Sequence, residues 1–379
     1  KYFYNVWYNF EFNKKKSNRM KNILISTGGS GGHVVPAKIL SEHLHSNFNV
    51  FISTDSRGLK YLDDEKNDII LINTPKLNLN IFFIFKIFQV IYLVIKTVLL
   101  LKKNKINVVF STGGYMSLPV CFGAKLLGIK IYLLEPNIVL GRANRLFLGF
   151  CKKIFTYTES LKNFPEKLKH KIQIITPLVK KNFYEKREIK TENKAFCLLV
   201  VGGSQGAKIF DNVVKNVIVN LSKKNKIKII QQTHKSNTDQ LRSIYDEAKI
   251  ENTIFDFEEN LADLINQSDL CITRAGASTL AELSIMNKPF LTIPLVSAKD
   301  NHQFENANFY QNLGCCWIMN QKDFNDVNLE KFLNHIIMNK SEYNIKKNNL
   351  EKHNSQNSWN NINQKICLLY TSPSPRDWT

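Results

Sequence analysis

Apolar positions along the chain gather into short runs, set between longer stretches with helical spacing. The first run, Asn-Ile-Leu-Ile-Ser at 22–26, has the length and branching of a buried strand. It leads into Thr27-Gly28-Gly29-Ser30-Gly31-Gly32-His33, after which 34–44 carries apolar residues at helical spacing. Pro36 stands near the predicted first turn, where a missing N–H costs nothing. The same reading gives strands at 50–53, 69–73, 108–111, 129–134, 154–157 and 172–175. The theme then restarts: a strand at 196–201, the turn Gly202-Gly203-Ser204-Gln205-Gly206-Ala207, and a helix at 208–221. Strands at 270–273 and 290–293 follow. A strand, a glycine turn and a helix in the same order at 23–40 and 197–214 predict an α/β chain. It has two Rossmann-like domains, whose parallel sheets face a central cleft.

The segment 81–103 departs from this alternation. It is strongly apolar but contains Lys86, Gln89, Lys96 and Thr97. A membrane-spanning helix needs about 20 apolar residues, which this run nearly reaches. Two lysines inside it make insertion costly. Two readings stand side by side: a basic, aromatic amphipathic segment lying on a membrane, and a long helix facing the core. A true span fits least.

Length and charge refine the picture. A chain of 379 residues is long enough for two cores. The net charge of +20, from 52 Lys+Arg against 32 Asp+Glu, is compatible with nucleic acid or an anionic membrane surface. Lys, Asn and Ile are abundant throughout, so a general composition bias takes most of the weight and membrane attraction comes second. No zinc-finger, basic-zipper or aromatic RNA-binding signature is present, so nucleic acid is not expected as a partner. The seven Cys form no C-x-x-C pair, and Cys315 and Cys316 are adjacent. That pattern opposes a zinc site or a disulfide framework and suits a reducing cytoplasm. Asp300 and His302 are two lone ligands, so no metal and no cofactor is expected.

The ends read as foreign to the fold. Residues 1–19 are aromatic and basic without periodicity, and Met20 looks like a natural start, so 1–19 is expected to be an upstream or non-native extension. Residues 369–379 are polar and proline-rich, like translated adapter read-through. Between them we expect an N-terminal domain at 20–178, a charged linker at 179–194, a C-terminal domain at 195–341 and a helical segment at 342–368.

The glycine loop at 27–33 directs backbone N–H groups and a helix N-terminus at one spot and leaves room for a bulky anion. The helix start disfavours the imidazolium form of His33, leaving a ring able to take a proton. A tight turn with an incidental His explains this loop alone equally well; the second glycine turn across a cleft favours a site. Glu135, Asn137 and Asn144 cluster at a strand end, where open α/β sheets bind ligands. In Arg274-Ala275-Gly276-Ala277-Ser278-Thr279-Leu280-Ala281-Glu282, small residues allow close approach to a helix start. Glu282 has two readings: a capping box with Thr279, or an acceptor for paired ribose hydroxyls. Gln303 offers a donor and an acceptor to sugar hydroxyls, or bonds only water at a helix start. A nicotinamide dehydrogenase is disfavoured. The opening loop lacks the G-x-G-x-x-G spacing, and no acid closes the second strand, Asp55 coming a little later.

The ordered motifs carry a family resemblance. Gly-Gly-Ser-Gly-Gly-His at 28–33, Gly-Gly-Tyr at 113–115, Glu-Pro-Asn at 135–137, Gly-Gly-Ser-Gln-Gly-Ala at 202–207, the 274–282 run and Asp-Asn-His-Gln at 300–303 resemble the MurG family of peptidoglycan transferases. The resemblance implies a GT-B fold. It also implies inverting transfer of N-acetylglucosamine from UDP-N-acetylglucosamine to the 4-hydroxyl of undecaprenyl-diphospho-muramoyl-pentapeptide (lipid I), giving lipid II. The place implied is the cytoplasmic face of the bacterial inner membrane, with peripheral attachment to an anionic surface and no obligatory metal. By the same resemblance Ser204 meets the diphosphate, Glu282 the ribose and Gln303 the sugar. Ala277, Ser278, Thr279, Leu280 and Ala281 line the nucleotide. Ser30, Gly31 and Gly32 lie near sugar and phosphates, Asn137 lies near the sugar, Arg274 adds a donor contact, and His33 is the general base.

Two departures bear on geometry. Where the family has an Arg near the domain junction, this chain has Val179, with Lys180 or Lys181 as the candidate replacement. A flexible ammonium does not reproduce a guanidinium fork. The family's Glu-Gln-Asn is Glu135-Pro136-Asn137, a stiffer loop. A GT-B enzyme acting on another membrane lipid, such as diacylglycerol, would share the donor site. The motifs at 28–33 and 113–115 argue for lipid I.

Overall fold

The computed structural model describes residues 20–62, 68–75, 83–185, 195–202, 208–362 and 366. The expected extensions 1–19 and 369–379, most of the linker and the turn 203–207 with Ser204 lie outside the described residues.

The first sheet has seven strands: β1 (Asn22–Ser26), β2 (Asn49–Thr54), β3 (Asp68–Leu71), β4 (Ile106–Ser111), β5 (Lys130–Glu135), β6 (Lys153–Thr156) and β7 (Ile172–Ile174). Their order is β3-β2-β1-β4-β5-β6-β7, and every pairing is parallel. The second sheet has six: β8 (Phe196–Val201), β9 (Ile227–Gln232), β10 (Glu251–Phe255), β11 (Leu270–Thr273), β12 (Phe290–Thr292) and β13 (Cys316–Ile318), in the order β10-β9-β8-β11-β12-β13, again all parallel. The connecting helices are α1 (Gly31–Leu44), α2 (Phe83–Lys103), α3 (Leu118–Leu126), α4 (Arg142–Phe147), α5 (Lys208–Ser222), α6 (Thr238–Glu247), α7 (Leu261–Gln267), α8 (Ala277–Ile285), α9 (His302–Asn312), α10 (Asp326–Met338) and α11 (Lys340–Asn354). The expected α/β class with two parallel-sheet domains is therefore found. β9, β10 and β13 complete the second sheet beyond the strands expected there.

Side chains alternate across each strand, so a parallel sheet covered on both faces buries two cores. Ile23 and Ile25 of β1 pack with Val34, Ala37 and Leu40 of α1, whereas Leu24 between them packs with Val120 and Ala124 of α3. The second sheet does the same, with Leu198 and Val200 on one face and Cys197, Leu199 and Val201 on the other. This explains why the strands read as unbroken apolar runs.

Two expectations change. The helix after the first glycine turn starts at Gly31, not 34, with Ser30 as an extended N-cap. Gly31, Gly32 and His33 thus form its first turn, and Pro36 falls one turn further in, where its ring removes a helical bond. The core-facing reading of 81–103 is also corrected. In α2 Thr97 and Leu101 are buried against neighbours including α3, while Phe85, Phe88, Ile91, Tyr92, Ile95 and Leu99 lie exposed, Phe88 by 64%. Among the described residues one helix, Ile84–Lys103, is long and apolar enough to cross a bilayer.

After α11 the chain returns to the first domain. Ile362 and Ile366 are buried in the α1 core, and Trp359 stacks on His43 with ring centroids 3.7 Å apart.

Candidate functional site

In a parallel sheet every strand runs toward one edge, and the loops at that edge carry the polar motifs. The cross-domain bonds show that the two edges face each other. Arg142 at the start of α4 makes a bidentate pair with Asp300 before α9, at 2.8 and 3.0 Å. α1 touches α8.

The first wall is built around His33. Thr27 and Thr112, just past β1 and β4, bond side chain to side chain at 2.8 Å. The Thr112 carbonyl stands 2.7 Å from His33 Nδ1. A carbonyl only accepts, so Nδ1 carries the proton and Nε2 is left with its lone pair. Gly114 borders that nitrogen: a Cβ there would lie 3.9 Å from Nε2. Gly113 and Gly114 hold φ of 88° and 75°, a region that favours glycine. The Gly31 and Gly32 N–H groups belong to a first helical turn and have no partner within the helix, and Ser30 makes no side-chain cap bond.

Beside this loop sits a network that sequence reasoning passed over. Buried Asp55 accepts from the N–H groups of Gly29 at 2.8 Å and Gly58 at 2.9 Å, and from Arg57 Nε at 2.8 Å. Burial alone raises its carboxyl, but these bonds outweigh burial and its pKa is lowered. Arg57 also donates to the Tyr115 hydroxyl. The only sequence signal was an acid shortly after the second strand.

Asn137 is engaged rather than open. Its Nδ2 donates to Glu135 at 3.1 Å, and its Oδ1 accepts from Asn306 at 3.2 Å. Glu135 is buried and also accepts from Gly141 N–H and Asn144 Nδ2, so it fastens the whole 135–144 loop.

The second wall begins at Gly276, the extended N-cap of α8. No side-chain cap bond forms. Thr279 is the third residue of the helix rather than its cap, so the capping-box reading of Thr279 and Glu282 is corrected. Glu282 makes no hydrogen bond or ion pair through its side chain among the described residues. Burial raises its pKa to about 7, against a smaller downward pull from Lys180. Lys180 therefore lies on the Glu282 side of the cleft, with its ammonium on the Glu259 carbonyl at 3.3 Å. Ala277, Ser278 and Thr279 form the first turn, while Leu280 and Ala281 turn into the core. Gln303 accepts the Leu295 N–H at 2.9 Å, so its amide oxygen is tied to the loop after β12 rather than to water alone. Arg274 points away toward the strand ends, onto the Ile293 carbonyl and Gln321, with its guanidinium over Phe210.

Comparison with known proteins agrees with this layout. Residues 23–156 match the glycosyltransferase family 28 N-terminal domain, and 197–362 match the C-terminal domain of that family. A Pelagibacter ubique protein is 49% identical over 92% of this chain and 98% of its own length. Its name is UDP-N-acetylglucosamine–N-acetylmuramyl-(pentapeptide) pyrophosphoryl-undecaprenol N-acetylglucosamine transferase. A Rickettsia canadensis protein of the same name is 33% identical over 88% of this chain and 97% of its own. In fold, the chain is similar to the Acinetobacter baumannii MurG crystal structure, with a TM-score of 0.74 at 23% identity, covering 92% of this chain and 99% of that one. It is also similar to a Neisseria meningitidis UDP-GlcNAc 2-epimerase bound to UDP-GlcNAc, with a TM-score of 0.63 at 14% identity, covering 92% of this chain and all of that one.

Proposed function

For a chain that belongs to glycosyltransferase family 28, within its MurG group, we propose transfer of N-acetylglucosamine from UDP-N-acetylglucosamine to lipid I, forming lipid II for peptidoglycan. The substrates follow from the family; the residue roles are part of the proposal, taken from the resemblance and supported by the geometry above at His33 and Glu282. The observation that carries the chemistry is the His33 ring, whose Nδ1 is committed to the Thr112 carbonyl and whose Nε2 is left to accept.

In this reading the acceptor's 4-hydroxyl enters beside Gly114 and gives its proton to His33 Nε2 as its oxygen attacks the anomeric carbon. The attack comes from the face opposite the UDP oxygen, whose bond to the anomeric carbon breaks as the diphosphate takes the electron pair, so configuration inverts. Helix N–H groups of Ser30, Gly31 and Gly32 on one side, and of Ala277, Ser278 and Thr279 on the other, face the developing negative charge. Lys180 stands in for the missing Arg by charge alone, with Ser204 assigned to the diphosphate. Glu282, freed from capping, accepts the ribose hydroxyls. Leu280 and Ala281 back the nucleotide wall, Gln303 orders the sugar through its amide, and Asn137 borders the sugar through the loop it fixes. Arg274 supports the wall from behind. The domain division 20–178 and 195–341 belongs to the same reading.

Attachment to the membrane is assigned to α2. Its exposed aromatic and branched face, with Lys86, Lys96, Lys102 and Lys103 along it, suits a peripheral position at an anionic cytoplasmic surface.

The test is UDP release from UDP-N-acetylglucosamine with and without a lipid I analogue. Acceptor-dependent release is expected, with kcat lowered about 10²–10⁴-fold in His33→Ala, the usual worth of a general base. UDP binding should survive that change. Release that ignores lipid I but responds to diacylglycerol would move the assignment to the other lipid class.

A further inference from the structure

Asn306 of α9 lies in the seam between the domains and is 2% exposed. Its Oδ1 accepts the Ile138 N–H at 2.9 Å. Its Nδ2 donates to Asn137 Oδ1 at 3.2 Å and to the Ala275 carbonyl at 3.1 Å. Asn137 and Ile138 belong to the loop after β5 in the first domain; Ala275 belongs to the turn before α8 in the second. This one amide is satisfied only while both loops keep their present separation.

The first-domain end of the bridge is itself anchored. Asn137 is held by buried Glu135, and the Ile138 carbonyl accepts the Lys162 N–H at 2.8 Å. The residues around Asn306 reach the same way: Glu305 pairs with Lys162, and Asp300 pairs with Arg142. Asp300 and Asn301 hold φ of 52° and 56°, two successive left-handed residues without a glycine. Such backbone is kept by tertiary contacts rather than by local preference. Arg142 and Asp300 are solvated, so their pair adds little. The buried amide is the contact whose loss leaves polar groups unpaired.

We propose that Asn306 is a positioning residue: it clasps the acceptor-side loop 135–138 to the donor-side turn 274–276 and so sets the width of the reacting cleft. This deepens the transfer reading and rests on it. The clasp is separate from the packing of α9, which is held in its own domain by Ala307 and Tyr310. Removing the amide therefore leaves α9 in place and frees the loop.

The experiment uses the full chain with Asn306→Ala and Asn306→Asp, a lipid I analogue, UDP titration and amide exchange at Ile138. For Asn306→Ala, kcat should fall about 10–100-fold, the scale of a lost alignment together with unpaired buried groups. UDP affinity should change by less than about threefold, because the bridge touches no assigned nucleotide contact directly. Exchange at Ile138 should quicken while the melting of β8–β11 is kept. Asn306→Asp retains the acceptor for Ile138 but loses both donations, so it should restore protection at Ile138 without restoring turnover. Turnover close to wild type in Asn306→Ala overturns the clasp, as does unchanged exchange at Ile138. Loss of UDP affinity in step with kcat also overturns it, making Asn306 a support of the donor wall alone. A wild-type chain that fails to transfer to lipid I sinks the functional reading instead. Exchange at Ile138, which needs no acceptor, then decides the clasp.

Discussion

At the scale of single residues, the informative groups are those whose hydrogen-bonding capacity is left open. His33 has one nitrogen committed and one not. Glu282 has a carboxylate without a partner among the described residues, and burial raises it to about 7. The sign of its pH dependence follows. Ribose hydroxyls need the ionised acceptor, so below about pH 7 nucleotide binding must also expel a proton, and UDP affinity should fall by up to tenfold per pH unit. Titration of UDP between about pH 5.5 and 8 checks this. Glu282→Gln should bind weakly and flatten the profile; an unchanged slope would remove Glu282 from the nucleotide site. Stability moves the opposite way. A carboxyl whose folded pKa is raised favours the fold while neutral, and that contribution is lost as pH rises from the unfolded value of 4.5 through about 7. Glu282→Gln should therefore gain stability near pH 8, by at most about 3 kcal/mol, and gain almost none near pH 4.5. Thermal melts at the two pH values read the difference.

At the scale of elements, the glycine turns work through their backbone. Gly114 has φ of 75° and ψ of 153°, a combination that side chains avoid, and its missing Cβ leaves space over His33 Nε2. Gly114→Ala should cost about 1–3 kcal/mol of stability through strain. It should also lower turnover beyond that loss, because the methyl occupies the acceptor's approach. Equal turnover per folded molecule would refute the placement of the acceptor there. Helix α2 makes a different prediction. Phe88→Glu with Tyr92→Glu should weaken sedimentation with anionic vesicles while leaving UDP binding intact, and added salt should weaken wild-type binding further. These contrasts also explain what was readable in the sequence. Strands such as Ile23–Ile25 and the glycine turns are local patterns, because apolar runs and missing side chains bear their meaning in themselves. The start of α1 is displaced because Gly31 and Gly32 look like loop residues, whereas they pass into a first helical turn directly after the extended Ser30. The apolarity of α2 was plain, but which face would be left bare depends on α3 and could not be read locally. Asp55, Arg57 and Asn306 carried no motif; they matter through partners from 2 to 169 positions away.

At the scale of the molecule, two crossings join the domains, and they lie side by side. The chain leaves the first domain after β7 at Ile174 and returns after α11, and Thr176 Oγ1 bonds Asn357 Oδ1 at 3.2 Å where the crossings meet. The returning segment is a structural part of the first domain. Ile362 is fully buried among residues of β1, α1 and β4, and Trp359 rests on His43 of α1. Ile362→Ala should therefore cost about 2–4 kcal/mol, the usual range for such a cavity. The loss should appear in the first domain although the residue follows the second in sequence. Amide exchange in α1 should quicken, while β9 and β10 keep their protection. The reverse pattern would mean that the segment belongs to the domain it follows. A double crossing pinned at Thr176 and Asn357 also limits how the domains can move. Ile362→Ala loosens one of the two crossings, so it should weaken the coupling between domains as well as the first core. An Ile362→Ala chain held well below its melting point should then show faster exchange at Ile138, where the first domain meets Asn306 of the second. Unchanged protection at Ile138 would show that the loop clasp holds without the crossing.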